Sequence, residues 1–116
     1  MSWLDAPEFK ELERYVSLTA YRQSLVAGNI ANIDTPHYHT LDIDFQKELQ
    51  RASAGIGPSQ PQVHMVQGLV EAPNGNNVSM DRESMLLAQT QLEFRLGIQL
   101  LRNKYHMLQT AITEGK

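Results

Sequence analysis

Cysteine is absent, and with it go disulfide frameworks, zinc–thiolate sites, iron–sulfur clusters and thiol nucleophiles. Positive charge is not in excess either. Ten Lys plus Arg stand against 13 Asp plus Glu, a formal charge of -3 with a pI near 5.7. That balance leaves neither a nucleic-acid footprint nor a polybasic membrane patch. No run approaches the roughly 18 apolar residues of a membrane span. Aromatics make up 7% of the residues, too few for a large aromatic core. The opening Met1-Ser-Trp-Leu-Asp-Ala-Pro-Glu has no basic region followed by an apolar one, so a cleaved secretory signal is not expected. No glycine-flanked serine marks a nucleophile, and Gly55-Ile56-Gly57-Pro58 lacks the strand and lysine of a phosphate loop. Enzymatic classes are the weakest candidates.

What is present is a chain of 116 residues, one domain's worth, that reads as helix, irregular middle, helix. Four of the seven glycines (55, 57, 68, 75) and three of the five prolines (58, 61, 73) punctuate the middle. The C-terminal stretch carries the strongest periodicity. Leu87, Phe94, Ile98, Leu101, Tyr105, Leu108 and Ile112 recur in steps of three and four, with Gln91 the polar interruption. A seam of that period predicts a coiled-coil-like helix over about 80–113, much longer than the usual globular helix. Ala88, Leu92, Leu96, Leu100, Met107 and Ala111 widen its apolar face. Asp81 is the expected cap, with Met80 and Met85 spaced as a hydrophobic staple.

The N-terminal half repeats the rhythm through Phe9, Leu12, Val16, Thr19, Gln23, Val26, Ile30 and Ile33, which predicts a helix over about 6–34. Asp5 and Glu8 have capping-box spacing, and Thr35-Pro36 excludes helix beyond it. The fold expected is therefore mainly all-α: two long terminal helices packed as an antiparallel coiled-coil-like hairpin, joined by an irregular, partly extended segment over 39–78. The whole of 1–116 is read as one unit.

Four histidines raise the question of a metal. His37 and His39 alternate as strand ligands could, but no Asp or Glu cluster completes a site, so solvated histidines are the expectation. No metal and no cofactor are expected. Asp42-x-Asp44 lacks the glycine and terminal glutamate of a calcium loop. It reads as the polar face of a short extended segment, Leu41 to Phe45. Ser53, Ser59, Ser79 and Ser84 fall in loops or at a helix start, where serine serves as a cap or turn former.

One segment is too particular to be generic. Asn29-Ile30-Ala31-Asn32-Ile33-Asp34-Thr35-Pro36-His37-Tyr38 places two asparagines one helical turn apart, then Thr-Pro and an aromatic. Both amides are positioned to bond to backbone near the helix end. This segment resembles the signature of bacterial flagellar rod and hook proteins. The junction Gly75-Asn76-Asn77-Val78-Ser79-Met80-Asp81-Arg82-Glu83 narrows the likeness to the proximal part of the flagellar basal-body rod family. Asn29, Ile30, Ala31, Asn32, Thr35, Pro36, Tyr38, Asn76, Asn77, Asp81 and Glu83 carry the resemblance. At two positions the chain departs from the pattern: Gly28 stands where a small polar residue is commoner, and His37 where the family commonly has glycine, so a turn needing positive φ there is costly.

The resemblance implies a structural, non-enzymatic subunit of the periplasmic rod, the flagellar drive shaft. It would be exported through the flagellar type III apparatus without a cleaved signal peptide. The implied partners are like subunits, other flagellar rod proteins, a FliE-type junction protein, and base-ring and export-gate proteins. No nucleic acid and no small-molecule substrate are implied. The expected helix and assembly interface is Phe9, Leu12, Val16, Val26, Ile30, Leu87, Phe94, Ile98, Leu101, Tyr105, Leu108 and Ile112. The competing reading from the residues alone is a cytosolic helical-hairpin adaptor that binds one partner helix. Whether the apolar patches within 63–71 order against another subunit stays open.

Overall fold

The computed structural model describes residues 7–55 and 60–115. Two long helices, α1 (Pro7–Ala31) and α3 (Met80–Glu114), frame the molecule. Between them lie strand β1 (Leu41–Ile43), helix α2 (Phe45–Ser53) and strand β2 (Val63–Met65). The expected all-α hairpin is therefore present, with boundaries close to those read from the sequence. The Asp5 cap lies outside the described residues.

Contacts along the two helices set their direction. Tyr15 meets Glu93, Asn29 meets Glu83, and Phe9 shares a surface groove with Leu101 and Tyr105. Rising numbers on one helix meet falling numbers on the other, so the pair is antiparallel. The helices pack tightly at Gly97, where an added Cβ would lie 2.7 Å from Val16 Cγ2 and 3.3 Å from the Tyr15 ring. A residue without a side chain is what lets the backbones approach there.

The packed face of α3 is Glu83, Leu86, Thr90 and Gly97, shifted about one residue from the expected seam. Leu87, Phe94, Ile98, Leu101 and Leu108 are only half-buried. Tyr105 and Ile112 are 49% and 48% exposed, Tyr105 at the rim of the helix pair in the groove it shares with Phe9. By the register of the paired residues, Pro7 sits near Asn103, so the last turns of α3 project beyond the described part of α1. On α1 the buried residues are Phe9, Leu18, Thr19, Val26 and Asn29, while Leu12, Val16 and Ile30 are half-buried. Thr19 and Thr90, both fully buried, satisfy their hydroxyls on the Val16 and Leu87 carbonyls of the preceding turn.

The middle is more ordered than its punctuation implies. β1 and β2 pair antiparallel, Leu41 opposite Met65 and Ile43 opposite Val63. Asp44 caps α2 by accepting from the Lys47 amide at 3.1 Å, and Phe45 stacks edge-on against Tyr15 at 5.6 Å. The cap of α3 also differs from expectation. Ser79, not Asp81, is the capping residue, its hydroxyl accepting from the Arg82 amide. Asp81 instead adds negative charge to the first turn, where the helix dipole favours it. Met80 and Met85 are 44% and 62% exposed and form no staple.

The assembled shape is a rod of 68 × 27 × 17 Å with a radius of gyration of 18.0 Å. A compact chain of this length would have a radius near 13 Å. Only Phe9, Leu18, Val26, Ile43 and Leu86 form the fully buried apolar core of the described residues.

Candidate assembly surface and the polar clamp behind it

The motif residues converge at the closed end of the hairpin. Asn29, the residue of α1 most involved, does not bond to its own helix end as its spacing implied. Its Nδ2 donates to the Leu41 carbonyl at 2.9 Å and to Glu83 Oε1 at 2.7 Å. Its Oδ1 accepts from the Tyr38 hydroxyl at 2.9 Å and the Leu41 amide at 3.0 Å. One fully buried amide thus ties α1, the returning strand and the start of α3 together. Asn32 does serve the helix end, donating to the Gly28 carbonyl and accepting from the Thr35 hydroxyl. Ile30 is half-buried and Ala31 is the exposed last residue of α1.

Thr35, Pro36, His37 and Tyr38 form a tight turn closed by the Tyr38 amide on the Thr35 carbonyl. His37 sits at φ +64°, in the third position, with proline in the second. That is the type II arrangement, which favours glycine at its third position, so the departure read from the sequence falls on a residue held in left-handed backbone. The His37 amide donates to the Asn74 carbonyl, and its ring packs on Gly75, where a Cβ would lie 2.6 Å from Nδ1.

Asn76 and Asn77 close the clamp from the other side. Asn76 Nδ2 donates to the carbonyls of Asn32 and Thr35 at 2.9 and 2.8 Å. Asn77 Oδ1 accepts from the Thr40 amide at 2.7 Å and its hydroxyl at 3.0 Å. Beside them runs a chain of charge. Arg22 donates twice to Asp42, both at 3.0 Å, and Arg82 bridges Asp42 and Glu83, both at 2.6 Å. Asp42 is thus a buried anion between two arginines, not the solvated strand face expected. Burial alone would raise its carboxyl, but hydrogen bonds from Arg22, the Ile43 amide and Arg82 hold it below the usual carboxylate value. Burial, with Glu83 adding to it, raises Tyr38 and keeps the hydroxyl that donates to Asn29 protonated.

Sequence reasoning missed Thr40, Asp42, Arg22 and Arg82 as clamp residues. Only Asp42 carried a signal, an acidic residue between Leu41 and Ile43 in a chain that must bury one face. Every buried side-chain polar atom among the described residues has a partner. His39 pairs with Glu71 at 3.2 Å, and among the described residues no three potential ligands group as a metal site.

The clamp leaves the outer surface of α3 uncovered. Met80, Met85, Leu92, Leu96, Leu100, Tyr105, Met107 and Ile112 are all exposed, against five buried apolar residues in the core. At 100° per residue, Met85, Leu92, Leu96, Leu100 and Met107 fall in one stripe. A contiguous exposed apolar stripe of this kind marks a contact surface.

No family model matches the chain. Curated relatives do. The chain is 30% identical over 121 positions to the flagellar basal body rod protein FlgB of Bacillus subtilis, covering 92% of this chain and 94% of the relative. It is 30% identical over 122 positions to FlgB of Salmonella typhimurium, covering 86% and 88%. It is 35% identical over 105 positions to FlgB of Cereibacter sphaeroides, covering 78% and 82%. With likeness running along nearly the whole of both chains, this chain belongs to the FlgB family of flagellar basal body rod proteins, a structural family and not an enzymatic one.

Proposed function

We propose that the chain polymerises through its terminal helices to build part of the proximal rod, the shaft that carries rotation outward. The exposed stripe on α3 carries this reading. Eight large apolar residues on α3 are exposed in the single chain, and five of them, Met85, Leu92, Leu96, Leu100 and Met107, share that stripe. Exposed patches of this kind mark interaction surfaces. Like subunits are the first expected neighbours, followed by other rod proteins, a FliE-type junction protein, and base-ring and export-gate proteins. The whole of 1–116 acts as one subunit, exported without a cleaved signal.

The test uses Leu92, 70% exposed and clear of the packed face of α3. Leu92→Asp should leave the helical content and Tm of the purified chain unchanged, because the side chain lies mostly in solvent. It should abolish sedimenting assemblies and swimming, since a charge would be stranded in an apolar contact. Normal motility with the variant overturns the reading. The adaptor alternative is separated by concentration: a rod subunit grows open-ended assemblies, whereas an adaptor stops at a closed complex.

A further inference from the structure

Asn74 differs from every other asparagine of the chain in being followed by glycine. The others precede Ile30, Ile33, Asn77, Val78 and Lys104, whose side chains crowd the peptide nitrogen beside the asparagine. Asn29, Asn76 and Asn77 are also buried with their amides bonded, and Asn103 lies within α3. Asn74 is exposed, and its neighbour Gly75 has no side chain and stands at φ +84°. Asparagine is among the thermally labile residues, and its lability depends on how freely the next peptide nitrogen reaches its side chain.

The turn around this pair both prepares a reaction and restrains it. The Asn76 amide donates to Asn74 Oδ1 at 3.1 Å, which draws electron density from Cγ. The Gly75 amide, however, is held on the Ala72 carbonyl at 2.8 Å, and the Ala72 amide on the Asn76 carbonyl at 2.7 Å. While those bonds stand, the Gly75 nitrogen is not free to attack. The Asn74 carbonyl accepts from the His37 amide at 3.0 Å, which fastens this turn to the left-handed residue at the end of α1. The turn is thus part of the clamp, joined to it by main-chain bonds that fix the length of backbone at residue 74.

We propose that Asn74 is a site of spontaneous deamidation, closed while the 72–76 turn holds and open once it parts, whose isoaspartyl product cannot rebuild the clamp. With the turn open, hydroxide removes the Gly75 amide proton and the nitrogen attacks Asn74 Cγ. A bond forms between Cγ and the Gly75 nitrogen, and the bond from Cγ to Nδ2 breaks. Ammonia leaves, taking its third hydrogen from water and returning the hydroxide. Water then adds to the cyclic imide; nothing is oxidised or reduced. Opening on one side gives aspartate on an unaltered backbone. Opening on the other routes the chain through Cγ, adds a methylene to the backbone and leaves the former Asn74 carbonyl as a free carboxylate. Gly75 is then one carbon away from where its amide met Ala72, so the His37 and Ala72 bonds cannot both be remade.

The experiment ages the full-length chain at mildly alkaline pH, folded in buffer or unfolded in guanidinium, and maps its peptides by mass spectrometry with isoaspartyl methyltransferase labelling. Asn74 should convert about tenfold or more faster in the unfolded chain, because the folded turn must open first. The rate should rise in proportion to hydroxide, and Asn74→Gln should remove the modification. After refolding, the isoaspartyl chain should melt about 4 °C or more below the native one. Asn74→Asp, which carries the same charge on an unaltered backbone, should melt close to the native chain. Survival of Asn74 in guanidinium, or equal rates in the two states, overturns the site or its protection by the turn. An isoaspartyl chain that melts with the native one, or an Asn74→Asp chain that melts as low as the isoaspartyl one, overturns the effect of the added methylene.

Discussion

At the scale of single residues, burial and backbone angle decide what each side chain is worth. Asp42 is the sharpest case, an anion 4% exposed between Arg22 and Arg82. Its folded pKa is lowered, so between the folded and unfolded values the native state holds fewer protons than the unfolded chain. The stability it contributes is therefore fully present above the ordinary value of 3.8 and is lost as pH falls through the lower folded value. Asp42→Asn should cost about 3 kcal/mol at neutral pH, as removal of one member of a buried pair does. It should also flatten the acid limb of a Tm-versus-pH curve; an unchanged limb would place the acid sensitivity elsewhere. Two glycines make a second test. Gly75 lies at φ +84° against the His37 ring, whereas Gly28 sits in α1 with open space where a Cβ would be. Gly75→Ala should lower stability by about 1–3 kcal/mol, the strain of a left-handed residue. Gly28→Ala should raise it by about 0.5–1 kcal/mol through the lower chain entropy of alanine. Denaturant midpoints shifting in the same direction would contradict one of the two assignments.

Among elements, α1 and α3 pack tightly at Gly97, with no room for a side chain. Gly97→Leu drives a branched side chain into Val16 and the Tyr15 ring, and should cost about 3 kcal/mol by overpacking. Urea denaturation of the variant checks this, and a loss under 1 kcal/mol would mean the helices part easily there. The two long helices were legible in the sequence because period-3.6 patterns held over 25 and 35 residues outvote local exceptions. Helix α2 was not, because nine residues are too few to show a period, and the alternation Leu41-Asp42-Ile43-Asp44-Phe45 runs straight into it. Its one readable sign was Asp44 as a cap before Phe45 and Leu49, four residues apart. The α3 seam was misplaced by about a residue because the packed face contains Glu83, Thr90 and Gly97, none of which scores as apolar. Likewise the Asn and Thr-Pro residues announced a junction, but not that Asn29 reaches across to Leu41 and Glu83. Long-range pairing leaves no periodic mark in a sequence.

For the molecule as a whole, order should be graded from one end to the other. At the closed end Asn29, Asp42, Asn76 and Asn77 are all buried and bonded; at the other, residues 109–115 are exposed. Hydrogen exchange on dilute monomer should show the slowest amides near Val26–Asn29 and Glu83–Thr90, and rapid exchange beyond Tyr105. Uniform protection along α3 would contradict the gradient. The clamp also has a mechanical consequence. Tension applied to Pro7 of α1 and Glu114 of α3 reaches the described helix pair one turn at a time, as a zip is opened. At the closed end the same tension loads the Asn29, Asp42 and Asn76 bonds together, and they must break as a group. The subunit is thus a tuning fork, compliant at its tips and stiff at its stem.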